Sequence, residues 1–83
     1  MKYQKYHLAA AGNTEPPIYQ LIKEMGFEVS KSGDMLVAEN DQVRFSAYNT
    51  LELLGLINLY QVKGDEWQVS DQLVDEFVDF ELS

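Results

Sequence analysis

The stretch Ser46–Ser70, SAYNTLELLGLINLYQVKGDEWQVS, decides how the fold is read. The hydroxyl of Ser46 can accept from one of the first unpaired N–H groups of a helix. Ala47, Leu51 and Leu54 follow at helical spacing, with Tyr48 beside them. Gly55 stands where a left-handed residue closes a helix at little cost. From Leu56 to Val62 the chain is apolar enough for a half-buried strand, with Leu56, Asn58, Tyr60 and Val62 on one side and Ile57, Leu59 and Gln61 on the other. Lys63-Gly64-Asp65-Glu66 carries turn chemistry, and Trp67-Gln68-Val69 resumes the alternation. Ser70 or Asp71 then caps another helix. This reading predicts a short helix, a glycine stop, a β-hairpin over 56–69 and a capped helix.

The run Leu54-Gly55-Leu56-Ile57, the turn glycine Gly64 and the series Trp67, Val69, Ser70, Asp71 resemble the end of a winged-helix domain. In that family a recognition helix ends at such a glycine, a two-stranded wing follows, and a capped helix often closes the unit. The likeness covers about Phe45 to Phe80, less than half the chain. It implies a winged-helix-like C-terminal half, and as a function a DNA-binding transcriptional regulator acting as a dimer. Arg44, Ser46, Asn49 and Thr50 would then face the major groove, and Lys63 on the wing would touch phosphate. The sequence departs from the family in its helix, which carries Asn49 and Thr50 where several basic or amide side chains are usual.

Charge argues against that function. The chain has 83 residues and a formal net charge of −8. Residues 1–44 hold five basic and six acidic side chains, whereas residues 45–83 hold Lys63 alone against eight acidic ones, a balance of −7. Affinity for duplex DNA comes largely from Lys and Arg displacing counterions at phosphates, so the half resembling a DNA-binding unit repels DNA.

Length predicts one small globular domain over 1–83, and an apolar share of 46% with 12% aromatics is that of a globular chain. The absence of cysteine removes disulfides and thiolate metal sites. No apolar run approaches the roughly 20 residues that span a bilayer. The start, MKYQKYHLAAAG, lacks a hydrophobic signal core, and the expected location is cytoplasmic.

Residues 1–13 set Lys2, Lys5 and His7 among tyrosines and alanines, which leaves an early strand through Tyr3 and Tyr6 or a flexible arm both open. Thr14 to Met25 reads as a core helix. Thr14 or Glu15 caps it, Pro16 and Pro17 fit its first turn, Ile18, Leu21, Ile22 and Met25 form its apolar stripe, and Gly26 stops it. Phe27 to Asn40 reads as a β-hairpin turning at Lys31-Ser32-Gly33-Asp34, with Val43-Arg44-Phe45 a short extended piece or a lead-in to the next helix. Asp71 to Leu82 is a final amphipathic helix: Leu73, Val74, Phe77 and Phe80 make a stripe expected to be buried, and Asp71, Asp75 and Asp79 lie opposite. The fold class is thus α+β, with about three helices and two β-hairpins.

Catalytic chemistry finds little footing. His7 is the single histidine and has no evident partner. The five glycines are isolated and form no phosphate loop. Asp71, Asp75 and Asp79 stand one turn apart on a helix, not around a loop that could wrap a cation, so neither a metal nor any cofactor is expected. The sequence therefore predicts a small acidic, non-enzymatic protein–protein interaction domain. Its partner is a protein, including a second copy of the chain, and its contact residues are Asp71, Asp75 and Asp79 with the neighbouring apolar Val78 and Leu82.

Overall fold

A computed structural model of the chain describes residues 4–83. Residues 4–11 have no regular structure and are exposed, and a 3-10 turn at Gly12–Thr14 leads into the first helix. The strand considered at the N-terminus is absent at Tyr6, and Tyr3 lies outside the described residues. Helix α1 (Glu15–Glu24) begins with both prolines in its first turn and ends before Gly26, whose φ of 96° only glycine adopts without strain. Thr14 precedes α1 without capping it; its hydroxyl donates instead to the Ala11 carbonyl, at 2.7 Å.

Strands β1 (Glu28–Ser32) and β2 (Met35–Glu39) form the predicted hairpin. The two residues between them start with Gly33 at φ 61°, the position glycine takes in a type II′ turn. The extended piece at 43–45 becomes strand β3 (Arg44–Ala47), antiparallel to β2, so the sheet order is β1-β2-β3. Asn40 shapes that second turn: its side-chain oxygen accepts from Gln42 N–H and Val43 N–H, each at 2.9 Å.

The second hairpin, predicted over 56–69, does not form. Thr50–Lys63 is one continuous helix, α2, running through Gly55 without a break. A 3-10 turn at Gly64–Glu66 and an irregular link at 67–70 join it to α3 (Asp71–Leu82). The stretch that carries the winged-helix likeness therefore runs helix, turn, link, helix. Two features account for the difference, one local and one of packing. The glycine that ends the helix is Gly64, with φ 61° and its N–H on the Tyr60 carbonyl, whereas Gly55 keeps a helical φ. Ile57 falls one turn beyond Leu53 and two beyond Thr50, and all three are buried, so one helix face continues into the core across Gly55.

The helix also starts later than Ser46, which lies in β3. Asn49 is the cap: its side-chain oxygen accepts from Glu52 N–H at 2.8 Å, while Glu52 reaches back to Tyr48 N–H at 3.1 Å. Thr50, only 6% exposed, ties this end of α2 to α1. Its N–H donates to the Glu15 carboxylate at 3.1 Å, and its hydroxyl lies 3.2 Å from both that carboxylate and the Glu15 carbonyl. A carboxylate at a helix N-terminus is also favoured by the helix dipole.

Helices α1 and α2 pack on each other and on one face of the sheet. Ile22, Phe27, Ala38, Ala47, Leu53 and Ile57 form the core, with Ile18, Met25, Val29, Leu36, Phe45 and Leu54 partly buried against it. Val37 is buried apart from this cluster, on the other sheet face between Ser30 and Ser46 of the flanking strands. The stripe predicted for α1 is buried through Ile22, while Leu21 is exposed. Helix α3 has the predicted bounds and cap, with Ser70 Oγ accepting from Leu73 N–H at 3.2 Å, but none of its residues is buried. Its expected place in the core is not taken up.

Candidate functional site

Among the described residues, α2 and α3 each leave an apolar face open, and both follow from the helices just described. Helix α2 is apolar nearly all round, which normally marks a helix surrounded by protein. One side meets the sheet through Leu53 and Ile57; the other presents Leu56, Leu59, Tyr60 and Val62 to solvent. An aromatic series connects the core to that outer side. Phe27 meets Phe45 edge-on at 5.8 Å between ring centroids, and Phe45 meets Tyr60 at the same distance. Beyond Tyr60, the side chains of Phe45, Leu56, Leu59, Tyr60 and Trp67 line a shallow depression of ≈ 180 Å³. That is below the roughly 300–1,000 Å³ typical of small-molecule pockets.

Trp67, 49% exposed, is the hinge between the two faces. It borders the α2 depression and also lines a second hollow with Gln68, Val69, Asp71 and Val74. That hollow continues into a groove along α3 formed by Val69, Leu73, Val74, Glu76, Phe77 and Phe80. Phe77 and Phe80 are 57% and 71% exposed, with ring centroids 6.4 Å apart. One helix and its leading link make this groove, so it has no opposite wall.

The residues predicted to bind a partner divide accordingly. Asp71, Asp75 and Asp79 are exposed on α3 as expected. Val78 and Leu82 are also exposed, but they lie toward the acidic side and do not line the groove. The exposed apolar lining consists of the stripe expected to be core, together with an α2 face hidden by the hairpin reading. The signal available in the sequence was the density of Leu and Ile through 51–62, too high for a helix with only one buried face.

The residues predicted for DNA contact are not brought into one surface. Thr50 is buried on Glu15 and Asn49 is engaged as the α2 cap, while Arg44 and Ser46 are exposed on β3 and Lys63 is at the far end of α2. His7 is exposed on the irregular N-terminal segment. Among the described residues no group of His, Asp and Glu could hold a metal ion, and no helix is long and apolar enough to cross a membrane. No protein-family model matches the chain, and no curated protein or solved structure matches it.

Proposed function

We propose that this chain is a non-enzymatic protein–protein interaction domain whose contact surface is the apolar strip running from the outer side of α2, across Trp67, along α3. The supporting observation is that α3 is amphipathic and well capped yet buries no residue. A soluble stripe of this kind represents unrealised hydrophobic free energy, on the order of 25 cal/mol for each Å² a partner would cover. The acidic outer side of α3, with Asp75 and Asp79, remains solvated and discourages unspecific apolar contacts. The lining of the strip also supports a non-enzymatic role, since it offers aliphatic and aromatic side chains with Glu76 and Asp71 at its margin. A cysteine-free chain fits the cytoplasm, where the domain is proposed to act.

Helices of about 12 residues are marginal in water without packing. Helix α3, with 12 residues, therefore depends on a partner for lasting order. Amide hydrogen exchange of the dilute chain, at low micromolar concentration, tests this. The amides of α2 are expected to be protected and those of α3 to exchange orders of magnitude faster. Equal protection of α2 and α3 in a chain whose sedimentation mass is that of the monomer would place the α3 stripe inside a closed monomeric core and overturn the proposal.

A further inference from the structure

We infer that the occupant of the strip is a second copy of the chain, in a two-fold dimer where the α3 of each copy lies in the α2 depression of the other. This rests on the interaction reading above and names its partner.

Surface area is the first argument. The accessible surface is 7240 Å² for a chain of 9.5 kDa, whereas a compact monomer of that mass exposes about 5,000 Å². The radius of gyration is 15.9 Å, against about 12 Å for a compact domain of this length. The excess surface is thus on the order of 2,000 Å², ample for the roughly 800 Å² per partner that a standard stable interface removes. The exposed N-terminal segment, with Tyr6 and Leu8, contributes to the excess alongside Leu73, Val74, Phe77 and Phe80 of α3.

Self-complementarity is the second. The depression on α2 is lined by Phe45 and Trp67, while α3 offers the exposed rings of Phe77 and Phe80, 6.4 Å apart, as the side chains to fill it. Both belong to one continuous strip joined at Trp67. A two-fold axis near Trp67 superposes the α3 end of one strip on the α2 end of the other, and repeats the contact. An α3–α3 pairing would leave the α2 faces uncovered.

Charge is the third. Lys63 is the one basic residue after position 44, and it stands one helical turn beyond Leu59, which lines the depression. Glu76 is the acidic residue that borders the α3 groove. Reciprocal docking allows each Lys63 to face the partner's Glu76, while Asp75 and Asp79 stay on the outer, solvated side and Asp71 borders the hollow beside Trp67. The two copies still carry −8 each, so their association tightens as salt screens the repulsion. Binding to DNA or to a basic protein would weaken instead.

Sedimentation equilibrium of the full chain between about 1 and 200 μM, at 50 and 500 mM salt, reads the outcome. The expected species has twice the 9.5 kDa chain mass, with a dissociation constant that falls as salt rises. Phe77→Ser impairs α3 and Leu59→Glu impairs the depression, with Leu56→Glu in reserve should Leu59→Glu unfold the chain. Each alone is expected to weaken the dimer about a thousandfold, since a hot-spot loss of roughly 30-fold occurs twice by symmetry. Mixing the two variants restores one intact contact, α3 of the Leu59→Glu copy on the depression of the Phe77→Ser copy, and yields heterodimer at intermediate affinity. A dimer of the unaltered chain without recovery in the mixture would overturn reciprocal docking. A monomer up to 200 μM with α3 amides unprotected would overturn the dimer but spare the interaction reading, and a monomer with α3 protected would overturn both.

Discussion

Helices α1 and α3 have the same sequence grammar and opposite fates. Each begins with a clear start signal and carries an apolar stripe against a polar face, Ile18, Leu21, Ile22 and Met25 in one and Leu73, Val74, Phe77 and Phe80 in the other. In α1, Ile22 is 0% exposed and the Glu15 end is tied to Thr50 of α2. In α3 no residue is buried. The difference is one of neighbours. Helix α1 is followed at Gly26 by a reversal that lays β1 and the sheet beneath it, whereas α3 follows a link that leaves it off the exposed outer side of α2. Amphipathicity states that a face is to be covered; it does not say by what.

Truncations on the two sides of this comparison should separate most widely. Ile57→Ala empties a fully buried site between α2 and the sheet, and urea unfolding is expected to show a loss of about 3 kcal/mol, within the 2–5 typical of such changes. A loss below about 1 kcal/mol would mean that the α2–sheet core is not packed as described.

Thr50→Val comes next. It keeps the shape of a buried side chain but removes the hydroxyl that meets Glu15, and should cost about 1–2 kcal/mol. Thr50→Ser, which keeps the hydroxyl, should retain more stability than the valine variant, and the reverse ranking of their urea midpoints would remove the α1–α2 tie from the argument.

The two glycines read as punctuation can be told apart by sign. Gly55→Ala meets open space in the helix interior and is expected to stabilise by about 0.5–1 kcal/mol. Gly64→Ala enters a backbone with φ 61° and is expected to destabilise by about 1 kcal/mol. If thermal melts ranked them the other way, the helix would end at Gly55 after all.

The smallest effect belongs to α3. In a chain dilute enough to be monomeric, Leu73→Ala should change global stability by less than about 0.5 kcal/mol, as at other exposed sites. A cost near that of Ile57→Ala would show the two regions to be one core.

Much of the architecture was legible because it rests on local chemistry. Pro16, Pro17 and Gly26 bracket α1, Gly33 turns the first hairpin, and Ser70 caps α3, each through backbone geometry or a hydrogen bond within a few residues. The α+β class followed from these signals, as did the bounds of α3, while the second helix was expected but with neither its cap nor its stop. The run Leu56–Val62 was not legible in the same way. Its apolar residues satisfy the period of a strand and the period of a helix, and Gly55 offered a stop that the backbone does not use.

By itself, then, the sequence determined where the chain turns, which faces are apolar, and that its second half is strongly acidic. Only the tertiary structure decided that Leu53 and Ile57 meet the sheet as one helix face, that Asn49 and Thr50 are engaged in capping and in the contact with Glu15, and that the stripes of α2 and α3 remain open. The reason is physical: caps and turns are directional and local, while apolar burial is non-directional and is settled by whichever surfaces the chain brings together.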